Sequence, residues 1–221
     1  MTDRARFPQQ LRGMQRARIR RRCWHVIVAL WAAMPLTAFA QLRLGTDSLV
    51  VRGGTLSFTG HATVGGFVGS TSTVTGVVAG ELPNVRGWVE APVATLNTHN
   101  DHRDRDLRAS MEADRFPTLR FDLDRATTDG ARAARPDSIA LLLHGTLAIH
   151  GVSRTVDLPA TLVQKGDTVN VIAWFPLDLA DYHIGGLTKM FGLLRMQRNI
   201  EVRAELQFVG DVLKAQTAGT P

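Results

Sequence analysis

The densest group of residues able to do chemistry is His99, Asp101, His102, Asp104 and Asp106. Imidazoles and carboxylates so close together are the ligand types of zinc and manganese sites. His99 and His102 stand three apart, but no third ligand follows at a recognisable metal-site spacing. Arg103, Arg105 and Arg108 alternate with them, and a guanidinium beside a metal cation opposes its binding. The run therefore reads as the solvated, capped start of a helix and not as a metal site. A second group, Asp178, Asp181 and His183, has the types for acid–base work. Nothing in the sequence orients these three, and no serine lies in a Gly-x-Ser-x-Gly elbow. The glycines form neither a dinucleotide fingerprint nor a phosphate loop. No catalytic residue and no cofactor is assigned, and the chain is read as a binding or structural protein.

The elements that must position these groups begin after a basic start. The chain has 221 residues and a formal net charge of +6. Residues 1–22 hold eight arginines (Arg4, Arg6, Arg12, Arg16, Arg18, Arg20, Arg21 and Arg22) against one acid, Asp3. Without them the charges are nearly balanced, so the body carries no basic footprint for nucleic acid. The arginines lead into an apolar run, 23–34, and then Ala38-Phe39-Ala40. Positive region, apolar region and small-residue site make a Sec-type signal peptide, residues 1–40, cleaved after Ala40. The apolar run is shorter than the roughly 20 residues a membrane span needs. Cys23, the sole cysteine, leaves with that segment, so no disulfide framework remains. A periplasmic or secreted domain over residues 41–213 is expected, ending in a small polar tail, 214–221. No transmembrane segment is expected after cleavage.

The dominant period in the body is two. Ile200, Val202, Ala204, Leu206 and Phe208 alternate with polar residues, as do Val156, Leu158, Ala160 and Leu162. Leu119, Phe121 and Leu123 do the same. Such alternation means strands with one buried and one wet face, the signature of an antiparallel sheet. Gly53-Gly54 reads as a break between strands 49–52 and 55–61, and Gly65-Gly66 precedes a strand over 67–76. Turns are expected at Glu81–Asn84 (residues 81–84), His150-Gly151 and Gly166-Asp167. About eight strands result, and a closed barrel is one way to remove their edges. One helix stands out, with Asn100 as its N-cap, Leu107 and Met111 on one face, and Pro117 returning the chain to an extended path. A weaker helix or loop is expected over 187–196. Eight strands enclose room for side chains or for one ligand, and periodicity does not decide between them.

Three ordered motifs extend this reading. The first is Thr98-His99-Asn100, Arg103-Asp104, Leu107, Ser110 and then Pro117-Thr118-Leu119-Arg120-Phe121. The second is Gly145-Thr146-Leu147-Ala148-Ile149-His150-Gly151-Val152-Ser153-Arg154-Thr155-Val156. The third covers 175–184 and continues into 190–195. Together they resemble the YceI-like family across residues 44–210. The resemblance implies an all-β fold: an extended eight-stranded antiparallel lipocalin-like barrel with one short helix over it. It further implies an elongated apolar cavity for a polyisoprenoid or other long-chain lipid, and no established catalytic residues. Phe58, Phe67, Phe121, Leu141, Leu143, Leu147, Ile149 and Trp174 are the expected cavity lining. Asn97, Thr98, Arg103, Asp104, Ser110, Pro117, His150 and Gly151 are the expected positioning residues. Thr155 and Gly185-Gly186 depart from the family pattern, where prolines are usual. A filled barrel with a structural or stress-related envelope role is the alternative, and a homodimer is left open.

Overall fold

The structure is a computed structural model that describes residues 48–63, 65–128, 138–185, 188–189 and 194–210. The expected signal peptide and the polar tail lie outside the described residues. Among the described residues eleven strands run in chain order: β1 Leu49–Ala62, β2 Gly65–Thr71, β3 Thr75–Ala79, β4 Arg86–Pro92, β5 Thr118–Thr128, β6 Ser138–Ile149, β7 Val152–Lys165, β8 Thr168–Asp178, β9 Thr188–Lys189, β10 Leu194–Arg195 and β11 Asn199–Gly210. One α-helix, α1 Asp101–Ser110, lies between β4 and β5 among the described residues.

The wall is a closed eight-stranded antiparallel barrel. Neighbouring strands pair in the order β11, β8, β7, β6, β5, β4, β3 and β1, and β1 pairs back to β11. That last ladder runs from Leu49 opposite Gly210 to Thr59 opposite Glu201. β2 and β3 lie along the same side of β1 and act as two segments of one wall strand. The expected single strand over 67–76 is therefore interrupted at 72–74. The amide of Thr73 turns inward there to the Thr71 hydroxyl, 3.0 Å away.

The break expected at Gly53-Gly54 is a bulge inside one long strand. The β1–β11 register slips between Val51 and Gly53, leaving Arg52 as the extra residue. Leu49 and Val51 pack inward before it, and Leu56 and Phe58 after it. The alternation thus changes phase without a change of strand, which is what a bulge does. Gly54 sits at φ 137°, and a Cβ on it would stand 2.2 Å from the Glu205 carbonyl oxygen. β5 repeats the device: its register against β6 slips between Leu123 and Arg125, and Ala126 then becomes the buried residue.

The expected hairpins form. His150 and Gly151, at φ 52° and 74°, make a two-residue turn between Ile149 and Val152, the primed geometry that suits twisted strands. Gly166, at φ 57°, serves the β7–β8 hairpin. In the segment expected as a second helix or loop, 187–196, the described residues instead pair as strands, β9 with β10. Local apolar composition there carried no period, so pairing had to decide.

Because Gly54 needs both its backbone angle and its missing Cβ, Gly54→Ala should lower stability by about 1–3 kcal/mol. Nothing lies within 4 Å of a Cβ on Gly53, so Gly53→Ala should cost far less. Urea unfolding of both variants checks this, and equal losses would contradict the bulge geometry.

Candidate functional site

Inward side chains of the barrel do not fill it. At the end covered by α1 lies a cavity of about 500 Å³. A second cavity of about 170 Å³ follows toward the opposite end. Leu56, Leu119, Leu147 and Phe175 line both, so they form a waist between two chambers in tandem. The larger volume falls in the range of roughly 300–1,000 Å³ usual for small-molecule sites.

The larger chamber is walled by Phe58, Phe67, Ile149, Leu177, Ile200 and Val202, with Leu107 of α1 and its C-cap Met111 above them. Two glycines make room for its aromatic pair. A Cβ on Gly69 would stand 2.4 Å from the Phe58 ring, and one on Gly60 would stand 2.7 Å from the Phe67 ring. The rings meet edge to face, with centroids 6.1 Å apart. The smaller chamber holds Phe121, Leu141, Leu143, Leu158, Leu206 and Phe208.

The larger chamber meets solvent between β2 and α1. β2 is paired to β1 along one edge. On its other edge the backbone bonds, among the described residues, are the two between Ser70 and Asn97. On that edge no strand flanks residues 65–69 among the described residues, and the exposed lining residues Gly65, Gly66, Asn100, His102 and Asp106 mark the mouth.

Polar groups cluster at this mouth, and their arrangement begins with the helix cap. The Asn100 side chain accepts from the amides of His102 and Arg103, at 3.1 and 3.0 Å. These are donors that a helix start leaves unpaired. Asp104, one turn in, is buried. Its Oδ1 accepts from the Thr98 amide at 2.8 Å and the Thr98 hydroxyl at 2.6 Å. Arg103 Nε donates to Thr98 Oγ1 at 3.1 Å, and its guanidinium lies 4.6 Å from the Phe67 ring centroid. Burial pushes the Asp104 carboxyl up, but the Thr98 hydrogen bonds and the charges of Arg108 and Arg103 outweigh it. The net position is below its usual value of 3.8.

A YceI-like domain profile matches residues 48–208. The chain belongs to the YceI-like family. No curated protein matches the chain. Solved structures match the fold. BcnA of Burkholderia cenocepacia aligns at 15% identity and TM-score 0.60, over 70% of this chain and 95% of that one. A polyisoprenoid binding domain from Saccharophagus degradans, implicated in plant cell wall breakdown, aligns at 15% and 0.61, over 75% and 99%. A YceI protein of Campylobacter jejuni aligns at 18% and 0.51, over 65% and 84%.

Within this YceI-like barrel, seven of the eight residues expected as lining face a chamber. Trp174 does not: it stands on the outer face, 58% exposed, opposite Arg203 of β11. Its neighbour Phe175, opposite Val202, lines the waist. The sequence places two aromatics side by side, and only the register says which one points inward.

The positioning residues fall into two groups. Thr98, Arg103 and Ser110 line the larger chamber, Asp104 holds Thr98 from behind, and Asn97 bridges to Ser70 while its side chain accepts from the His99 amide at 2.6 Å. Pro117 accepts from the Val93 amide at 2.8 Å as the chain turns into β5. On the other side, the His150 ring faces the Tyr182 carbonyl oxygen at 3.0 Å through Nδ1 and Glu112 at 3.2 Å through Nε2. That contact joins the β6–β7 turn to the segment after α1. A hydrogen bond from Arg115, with help from His150, holds the Glu112 carboxyl below its usual range.

The early acid–base candidates are committed elsewhere. Asp178 accepts from the Ala180 amide and pairs with Arg198, while Asp181 pairs with Arg154. Among the described residues no three His, Cys, Asp or Glu side chains converge. One constellation was not legible in the sequence. On the outer face His144 Nδ1 meets Asp157 Oδ1 at 2.6 Å and Nε2 meets the Thr127 hydroxyl at 3.0 Å. The order of groups is that of a hydroxyl–imidazole–carboxylate triad. It lies flat on the sheet face between paired strands β5, β6 and β7, away from both chambers.

Asp104→Ala should cost about 2–4 kcal/mol, because two Thr98 donors lose their acceptor in a buried place. The folded-state value of Asp104 lies below the unfolded one, so its contribution is present above about pH 4. It is lost as the pH falls through the folded-state value. Thermal melts of both proteins from pH 7 to pH 2 should therefore converge at the acid end.

Proposed function

We propose that this YceI-like protein is a lipid-binding protein that holds a polyisoprenoid or similar long-chain amphiphile, without catalysis. The observation that carries the reading is the pair of apolar chambers in tandem, about 500 and 170 Å³, joined at Leu56, Leu119, Leu147 and Phe175. A compact ligand would use one chamber, whereas a chain can pass the waist and use both. Each buried methylene is worth roughly 0.8 kcal/mol, so a long tail can bind tightly with few polar contacts, less the cost of ordering it. The Saccharophagus degradans neighbour, named as a polyisoprenoid binding domain, supports the same class of ligand. An open interior also favours this reading over a filled, structural barrel.

The setting we propose is the periplasm or the exterior, reached by the signal peptide expected at residues 1–40. Among the described residues no helix is long and apolar enough to cross a membrane. An envelope carrier would shield a lipid tail from water between membrane surfaces.

Native mass spectrometry of the protein purified without detergent should show a discrete adduct that yields an isoprenoid or other long-chain lipid on extraction. A bare mass that stays bare after incubation with polyprenyl lipids would overturn the proposal. The waist gives a finer test. Leu147→Trp should block passage between chambers and weaken octaprenyl alcohol by more than about tenfold, several methylenes being excluded. Farnesol, short enough for the larger chamber alone, should change by less than about threefold, which is under 1 kcal/mol. Titration of both alcohols against both proteins reads this out.

A further inference from the structure

Among the described residues at the polar mouth of the larger chamber, Arg103 is a cationic group whose hydrogen bonds use only Nε. Arg103 donates through Nε to Thr98, and its guanidinium is stacked over Phe67. Among the described residues no carboxylate forms an ion pair with its terminal nitrogens. The stacking and the Nε bond fix the plane of the guanidinium, and Thr98 is itself fixed by buried Asp104. An oriented fork of N–H donors is what pairs with a planar carboxylate or a phosphate.

The other groups at the mouth do not compete for that role. Asp104 spends Oδ1 on two donors from Thr98. Asp106 has a partner of its own. Asn100 accepts from two helix amides. Arg105 lies 2.6 Å from His102 Nδ1 and can only donate, so the His102 proton sits on Nε2.

We infer that the mouth between β2 and α1 selects amphiphiles with an acidic head, a carboxylate or a phosphate, and that Arg103 is the residue that pairs with it. This rests on the lipid-binding reading and refines it. A tail in the chamber brings its head to the mouth, where an alcohol offers the terminal guanidinium nitrogens no charged acceptor. An acid gives it one, and an amine would face it as a like charge.

The test uses an isoprenoid acid and its alcohol, retinoic acid and retinol, titrated against the protein at pH 8 and low salt. The protein should bind the acid about tenfold more tightly, the effect of one charge-assisted pair at a half-exposed place. Arg103→Gln keeps a donor for Thr98 but no charge; it should lose the preference and bind acid and alcohol alike. Arg103→Lys should restore part of the preference. Equal binding of acid and alcohol by the unmodified protein would overturn the inference while leaving the lipid reading intact. An equal loss of both probes in Arg103→Gln would make Arg103 a purely structural residue and also overturn it. Failure of the unmodified protein to bind either probe would overturn the lipid reading itself.

Discussion

The ladder between the first and the last strand is the contact on which everything else in this barrel depends. β1 and β11 are the two ends of the sheet, and their pairing from Leu49–Gly210 to Thr59–Glu201 leaves the wall without a long exposed edge. Closure also defines an inside. Once the sheet is closed, the period-two alternation of every strand aims one set of side chains at a single shared volume. The bulges at Arg52 and near Asp124 keep that alternation in phase with the wall where a regular strand would not. Stability comes from burying the apolar faces, and yet the interior is left with space. This combination is possible because an eight-stranded wall is held by its own backbone hydrogen bonds and does not need a filled centre to stay closed.

The weak point in that wall is where the chemistry of recognition collects. Among the described residues, β2 has no strand on the edge of residues 65–69 that faces away from β1, because β4 pairs with β3 and the chain then leaves for α1. The gap is spanned by one pair of backbone bonds, Ser70 with Asn97, and covered by the helix. Asp104 ties the start of that helix to Thr98, next to the bridge. A single buried carboxylate thus links the helix, the loop before it and the edge of the mouth. Its pairing is local in sequence, six residues apart, which lets the cap form without waiting for distant contacts.

Among the described residues, the ion pairs of the wall lie on the outside. The Thr127–His144–Asp157 array and the Arg120 pairs with Glu90 and Asp122 all lie on the outer face. Exposed ion pairs of this kind contribute little to stability. The inner surface offers a ligand volume and apolar contact, with directional groups confined to one rim. Membership of the YceI-like family, whose solved neighbours align over most of their length at 15–18% identity, fits a fold in which the pattern of alternation and the capped helix matter more than most individual residues.

The alternation of residues 199–208, the Asn100 cap and the two-residue turn at His150-Gly151 were legible in the sequence because each is a local effect. Strand period, helix capping and turn angles are decided within a few residues. Phe58, Phe67, Phe121, Leu147 and Ile149 line the chambers, but a strand such as 138–149, apolar on both faces, does not say by itself which face turns inward. Pairing register is not local, and it alone turned Trp174 outward and Phe175 inward. The bulge at Arg52 reads in sequence like a strand break, because both interrupt the period. Thr127, His144 and Asp157 belong to three strands and meet only through two ladders. Whether the barrel is filled or hollow also belongs to the tertiary structure. The difference is a volume left over after all inward side chains are placed, and no stretch of sequence contains that sum.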